Sequence, residues 1–100
     1  MAIRNQEDAQ RVLKHVPDEK RFHCHDGTIL NNIYDLKTAL GTISADTYSH
    51  HVNEGKNDFA RWVREVLGDD KLAKDLAKMP EQKDAAMLVA ERISWLQDRA

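Results

Sequence analysis

Cysteine is nearly missing from this sequence. Cys24 is the only one, so no internal disulfide can form and nothing points to an oxidising compartment. Long apolar runs are missing too. No stretch is apolar enough to span a bilayer, and the opening MAIRNQEDAQ lacks the apolar core of a secretion signal. A soluble, cytoplasmic protein with no membrane partner is expected. Charge of one sign is also lacking: 15 Lys and Arg stand against 17 Asp and Glu, for a net charge of −2, with the two signs mixed along the chain. A nucleic-acid binder would usually carry a basic patch or stripe, so no nucleic-acid partner is expected.

The chemistry-bearing patterns are absent as well. The four glycines stand far apart, which leaves no Gly-rich phosphate loop. Neither Gly-x-Ser-x-Gly, His-Glu-x-x-His nor the Glu-x-x-His of di-iron bundles occurs. The pair Asp69–Asp70 sits at a helix start, where capping accounts for it. An enzyme is not expected.

What remains is helical patterning. One hundred residues suit a single domain, 1–100, with its own core. Asn5 can cap a first helix whose apolar face is Ala9, Val12, Leu13 and Val16, and Pro17 should stop it. RFHCH, near residues 21–25, breaks the helical period, because Phe22 and Cys24 alternate with His23 and His25. Asp26–Gly27 signals a turn, after which Thr28 or Asp26 should cap a helix carrying Ile29, Ile33, Leu36 and Leu40. Gly41 suits the stop of that helix. Ser44 opens a short third helix with Ala45, Tyr48 and Val52 inward.

Asn57 is a good cap for a fourth helix bearing Phe59, Trp62, Val63, Val66 and Leu67, and Gly68 should end it. Asp69 restarts the chain as a fifth helix with Leu72, Ala73, Leu76 and Met79. Pro80 fits the first turn of the last helix, whose face is Ala86, Val89, Ala90, Ile93 and Leu96, broadened by Leu88 and Trp95. The expected fold is all-α: a compact bundle of five to six short helices, with one unpaired extended segment and no sheet.

The stretch TYSHHVNEGKNDFARWV holds the densest set of polar and aromatic residues. Asn53, Gly55 and Asn57 tolerate turn geometry and cap helix ends, so it reads first as a tight junction between two helices. His51, beside Val52, should be buried and hydrogen-bonded to the turn at Asn53–Asp58, with His50 more exposed. The alternative is metal. In an extended segment His23 and His25 project to one side, and with His51 they would offer three imidazoles to zinc or iron. Cys24, facing the other way beside Phe22, reads as a small buried apolar residue.

FHCHDG, a leucine-patterned helix and then HVNEGKNDFARWVREVLGDDKLA resemble an uncharacterised family of small prokaryotic helical domains. Its pattern runs aromatic-x-apolar-x-Asp-Gly, then His-Val-Asn, then Lys-Asn-Asp-Phe-Ala-x-Trp. Phe22, Asp26, Gly27, His51, Val52, Asn53, Lys56, Asn57, Asp58, Phe59, Ala60 and Trp62 carry the resemblance, over about residues 20–78. Cys24 stands where a bulkier apolar residue is usual. The resemblance implies a helical fold and no activity, and it ties His51 rather than His50 to the motif. The expected function is a non-enzymatic interaction or assembly module, docking on a protein partner or on itself, with no cofactor. The alternative is a metal- or cofactor-binding domain.

Overall fold

A computed structural model describes residues 2–78 and 80–100. Six helices order the chain: α1 (Gln6–Leu13), α2 (Ile33–Thr42), α3 (Ala45–His51), α4 (Asp58–Trp62), α5 (Asp70–Ala77) and α6 (Gln82–Arg99). Between them lie two antiparallel hairpins of two-residue strands, β1 (Phe22–His23) with β2 (Ile29–Leu30) and β3 (Val52–Asn53) with β4 (Lys56–Asn57). The fold is a compact, mostly helical bundle.

Short polar side chains start the helices by accepting otherwise orphaned backbone N–H groups. Asn5 Oδ1 accepts from Asp8 N–H at 2.9 Å, Ser44 Oγ from Thr47 N–H at 3.1 Å, Asn57 Oδ1 from Ala60 N–H at 2.9 Å and Asp69 Oδ1 from Leu72 N–H at 3.2 Å. Each of these four residues is legible as a cap in the sequence.

The second helix departs from expectation. Its cap is Asn32, whose Oδ1 accepts from Asp35 N–H at 2.8 Å, and not Thr28 or Asp26. Ile29 is 44 % exposed and belongs to β2, where it pairs with His23. The extended segment therefore has a partner after all, supplied by Ile29 and Leu30 beyond the Gly27 turn. Gly27 is left-handed (φ 96°), a conformation that costs glycine little. Gly41 does not stop α2. The helix runs through it to Thr42, and Gln82 Nε2 donates to the carbonyls of Leu40 and Ile43 at 3.0 and 2.8 Å, satisfying the helix end from α6 instead.

Other differences are smaller. α1 ends at Leu13, and Val16 lies beyond it, its N–H donating to Asn31 O at 2.8 Å. A π-helical turn, Val63–Leu67, continues α4 and closes when Gly68 N–H bonds Val63 O at 2.8 Å. The wider turn swings Leu67 fully inward and leaves Val66 half-buried. Gly68 then ends the helix in the left-handed region (φ 83°), as the sequence implies. Pro80 precedes the last helix, since Glu81 is the cap position. The inward line of α6 is Ala85, Val89, Ile93 and Leu96, so Ala86 and Ala90 lie at its margin. Met79 lies outside the described residues.

α6 packs against α2, α1 and α5, and the buried apolar side chains form one contiguous cluster. Among the described residues, no helix is long and apolar enough to cross a membrane.

Candidate functional site

Two places stand out: the histidine junction singled out in the sequence, and a cleft beside Trp95.

The junction forms where β1–β2 meets the α3–α4 turn. Asn53 tightens that turn, with its Oδ1 accepting Gly55 N–H at 3.0 Å. Asn57 Nδ2 donates to Leu76 O at 2.7 Å, tying the turn to the end of α5. Phe22 stacks on Phe59 at 4.9 Å between ring centroids and meets Trp62 edge-on at 5.9 Å. Trp62 is 6 % exposed, and its indole N–H donates to Lys20 O at 2.8 Å, so the ring is buried with its polar atom satisfied.

His51 sits in this aromatic nest, 5 % exposed, its ring 5.1 Å from Phe22 and 5.3 Å from Phe59. Its Nε2 accepts the backbone N–H of His25 at 2.9 Å, and its Nδ1 lies 2.9 Å from Asp58 Oδ2. An acceptor Nε2 carries no proton, so Nδ1 bears it and donates to the carboxylate. The imidazole thus pins the first hairpin to the start of α4, and neither nitrogen has a free lone pair to offer a metal. Asp58 also accepts from Lys56 Nζ at 2.9 Å. Partial burial pushes the Asp58 carboxyl up, but the bonds from Lys56 and His51 outweigh it and hold the group below its ordinary range.

The other histidines divide. His25 stacks on His50 at 4.0 Å between centroids, both rings exposed. Partial desolvation, then the neighbouring His25, His51 and Lys56, push His50 below the ordinary imidazole value. His23, on β1, is exposed like His25 and has no side-chain hydrogen bond or ring contact among the described residues. So the structure brings His25, His50 and His51 together and leaves His23 outside. Among the described residues, no three His, Cys, Asp or Glu side chains are placed to hold one metal ion. Cys24 is buried, and burial followed by the nearby Asp26 charge raises its thiol to about 11, which keeps it protonated and unreactive. Asp26 closes the hairpin turn by accepting Thr28 N–H at 2.9 Å, and that bond lowers its own carboxyl.

The second place was not legible as a site. Asp69, fully buried, caps α5 and also takes a two-pronged bond from Arg92 on α6, with Nε at 2.6 Å and Nη2 at 2.9 Å. This orients the Arg92 guanidinium over Trp95, 4.0 Å from the ring centre. Arg99 covers the same ring at 3.7 Å, anchored by its Nη1 donating to Trp95 O at 3.0 Å. Trp95 is half-buried and walls a cleft of about 480 Å³ that runs past Ile3 to Lys71 and Lys74 of α5. A second cleft, of about 240 Å³, opens between Trp95, Arg99 and Arg4. The spacing of Arg92, Trp95 and Arg99 on one helical face was available as a signal, but a stacked triplet of that kind is not specific enough to name from sequence.

A family model described as a family of unknown function (DUF5752) matches residues 46–99, more than half of the chain. The chain belongs to this family. The DUF5752 match takes in His51, Asn57, Asp58, Phe59 and Trp62 of the junction, together with Asp69, Arg92 and Trp95 of the cleft. It begins after the first hairpin, so Phe22, Asp26 and Gly27 lie outside it, and it includes α6, which extends beyond the 20–78 span of the resemblance. No curated protein matches the chain, and no solved structure does.

Proposed function

We propose that this domain is a non-enzymatic protein-interaction module that docks through the face formed by α5, α6 and the residues preceding α1, with Trp95 at its centre. The observation that carries the reading is the gathering of clefts around one half-buried tryptophan clamped by two guanidinium groups. Tryptophan and arginine dominate the energetics of protein interfaces, and a side chain already fixed in place loses little entropy when a partner arrives. The arrangement at His51 supports the same reading from the other side. Both of its nitrogens are engaged, one by a backbone amide of the first hairpin and one by Asp58 of α4, as a structural junction requires.

The partner is a protein or a second copy of the chain. A cytoplasmic location fits the lone buried thiol, and the net charge of −2 disfavours nucleic acid. A photo-crosslinking residue placed at exposed Lys74 in the face, and separately at exposed Lys37 on α2 outside it, tests the reading in native extract. Adducts from position 74 and none from position 37 are expected. Adducts from position 37 alone, or from neither position, would contradict it.

A further inference from the structure

The two clefts that Trp95 shares with Ile3 are lined mostly by cations. Arg4, Lys71, Lys74, Arg92 and Arg99 stand there against Asp70, on a chain whose net charge is negative, whereas a third groove along Trp95 carries the acidic Asp75 and Glu91. Two of these cations are already engaged. Lys71 Nζ lies 2.7 Å from Asp75, and Arg92 is held by Asp69. Among the described residues, the side chains of Arg4, Lys74 and Arg99 form no ion pair. Arg99 is the best prepared of them. Its guanidinium lies 3.7 Å over the Trp95 ring with Nη1 spent on Trp95 O, and a guanidinium held over a ring keeps its remaining in-plane N–H groups available to a carboxylate. Ile3 and Trp95 line both clefts and give them a common apolar wall.

We propose that these two adjoining clefts together bind an acidic peptide segment bearing an apolar side chain. Its carboxylates pair with Arg99, Lys74 and Arg4, and its apolar group rests against Ile3 and Trp95. The inference rests on the docking reading above and adds the chemistry of the partner. Charge complementarity selects an anionic occupant, and the apolar wall selects a peptide over a nucleic acid, whose phosphate backbone would leave that wall unfilled.

Fluorescence anisotropy with defined probes tests this. The probe is a short labelled peptide alternating glutamate with leucine. The comparisons are the same peptide with glutamine for glutamate, and a single-stranded oligonucleotide of equal charge. The glutamate peptide is expected to bind about tenfold more tightly than the glutamine one, and to weaken as salt rises. The double variant Lys74→Glu, Arg99→Glu changes only exposed side chains, so the fold should survive, as circular dichroism can verify. It is expected to lose about tenfold in affinity, while Lys37→Glu changes nothing.

Equal affinity for the glutamine peptide would overturn the acidic preference. Equal or tighter binding of the oligonucleotide would replace it with a polyanion site. No binding of either peptide would also overturn it. In each case the crosslinking at position 74 decides separately whether the face docks a protein.

Discussion

Replacing His51 with alanine removes the side chain whose hydrogen bonds join the first hairpin to α4. Three losses follow. The His25 N–H loses its acceptor in a partly buried place, which costs about 1–3 kcal/mol. The ring contacts with Phe22 and Phe59 disappear, worth about 1 kcal/mol beyond simple burial. Asp58 loses a donor, but its side chain is 25 % exposed and keeps Lys56, so that term is small. The sum is about 2–4 kcal/mol, and for a domain of this size about 10–25 °C in melting temperature. Urea denaturation gives the free energy. His51→Phe separates the terms, because it keeps a ring in the nest while still orphaning the His25 amide. It should cost about 1–3 kcal/mol, and the His25 amide should exchange faster with solvent in both variants. His50→Ala, at an exposed position, should change stability by less than about 0.5 kcal/mol. A His51→Ala protein within about 0.5 kcal/mol of the wild type, with its His25 amide still protected, would refute the structural role.

Asp69→Ala should cost about 3–5 kcal/mol in the same assay, because it removes the α5 cap and strands the partly buried Arg92 guanidinium; an unchanged denaturation midpoint would show that the pair is not made. Acidification should destabilise the fold in two windows. His50 is held below its ordinary value of 6.5, so the unfolded chain takes up the proton first and stability falls as pH drops below about 6.5. Asp58 is held below 3.8, so its contribution is complete above that value and is lost at lower pH. His50→Gln should flatten the first window only, and melting curves across pH read both. With both His51 nitrogens engaged, a chelator or added zinc should leave the melting temperature unchanged; one tightly held metal lost in His23→Ala, His25→Ala and His51→Ala alike would restore the metal reading.

Where a helix announces itself through its own cap, the sequence could be read directly, as at Asn5, Ser44, Asn57 and Asp69. It misled where a periodicity was shared between elements. Ile29 stands four residues before Ile33, the spacing of one helical face, yet the chain between them turns from β2 through Asn31 into the Asn32 cap. Gly41 reads as a stop because the residue that satisfies the end of α2, Gln82, lies 42 and 39 positions away from its two acceptors in the chain. The same limit hid the cleft. Asp69 was visible as a cap, but its second role depends on Arg92, 23 residues on, and only the packing of α5 against α6 brings them together. At the junction, burial of His51 and a bond to the Asn53–Asp58 turn could be expected from the sequence, while the choice of Asp58 within that turn and the bond from the His25 amide required the fold.

The two tryptophans allow the docking reading to be tested within one spectrum. Trp62 lies in the junction with its indole N–H bonded to Lys20 O, and Trp95 lines the proposed docking face. In the nitrogen-15 correlation spectrum of the labelled domain, each gives its own indole signal. On titration with the partner captured at position 74, the Trp95 signal is expected to shift together with the Arg99 and Lys74 amides, while Trp62 and the His25 amide stay still. A shift of Trp62 and the His25 amide with Trp95 unmoved would place binding at the histidine junction and contradict the docking face.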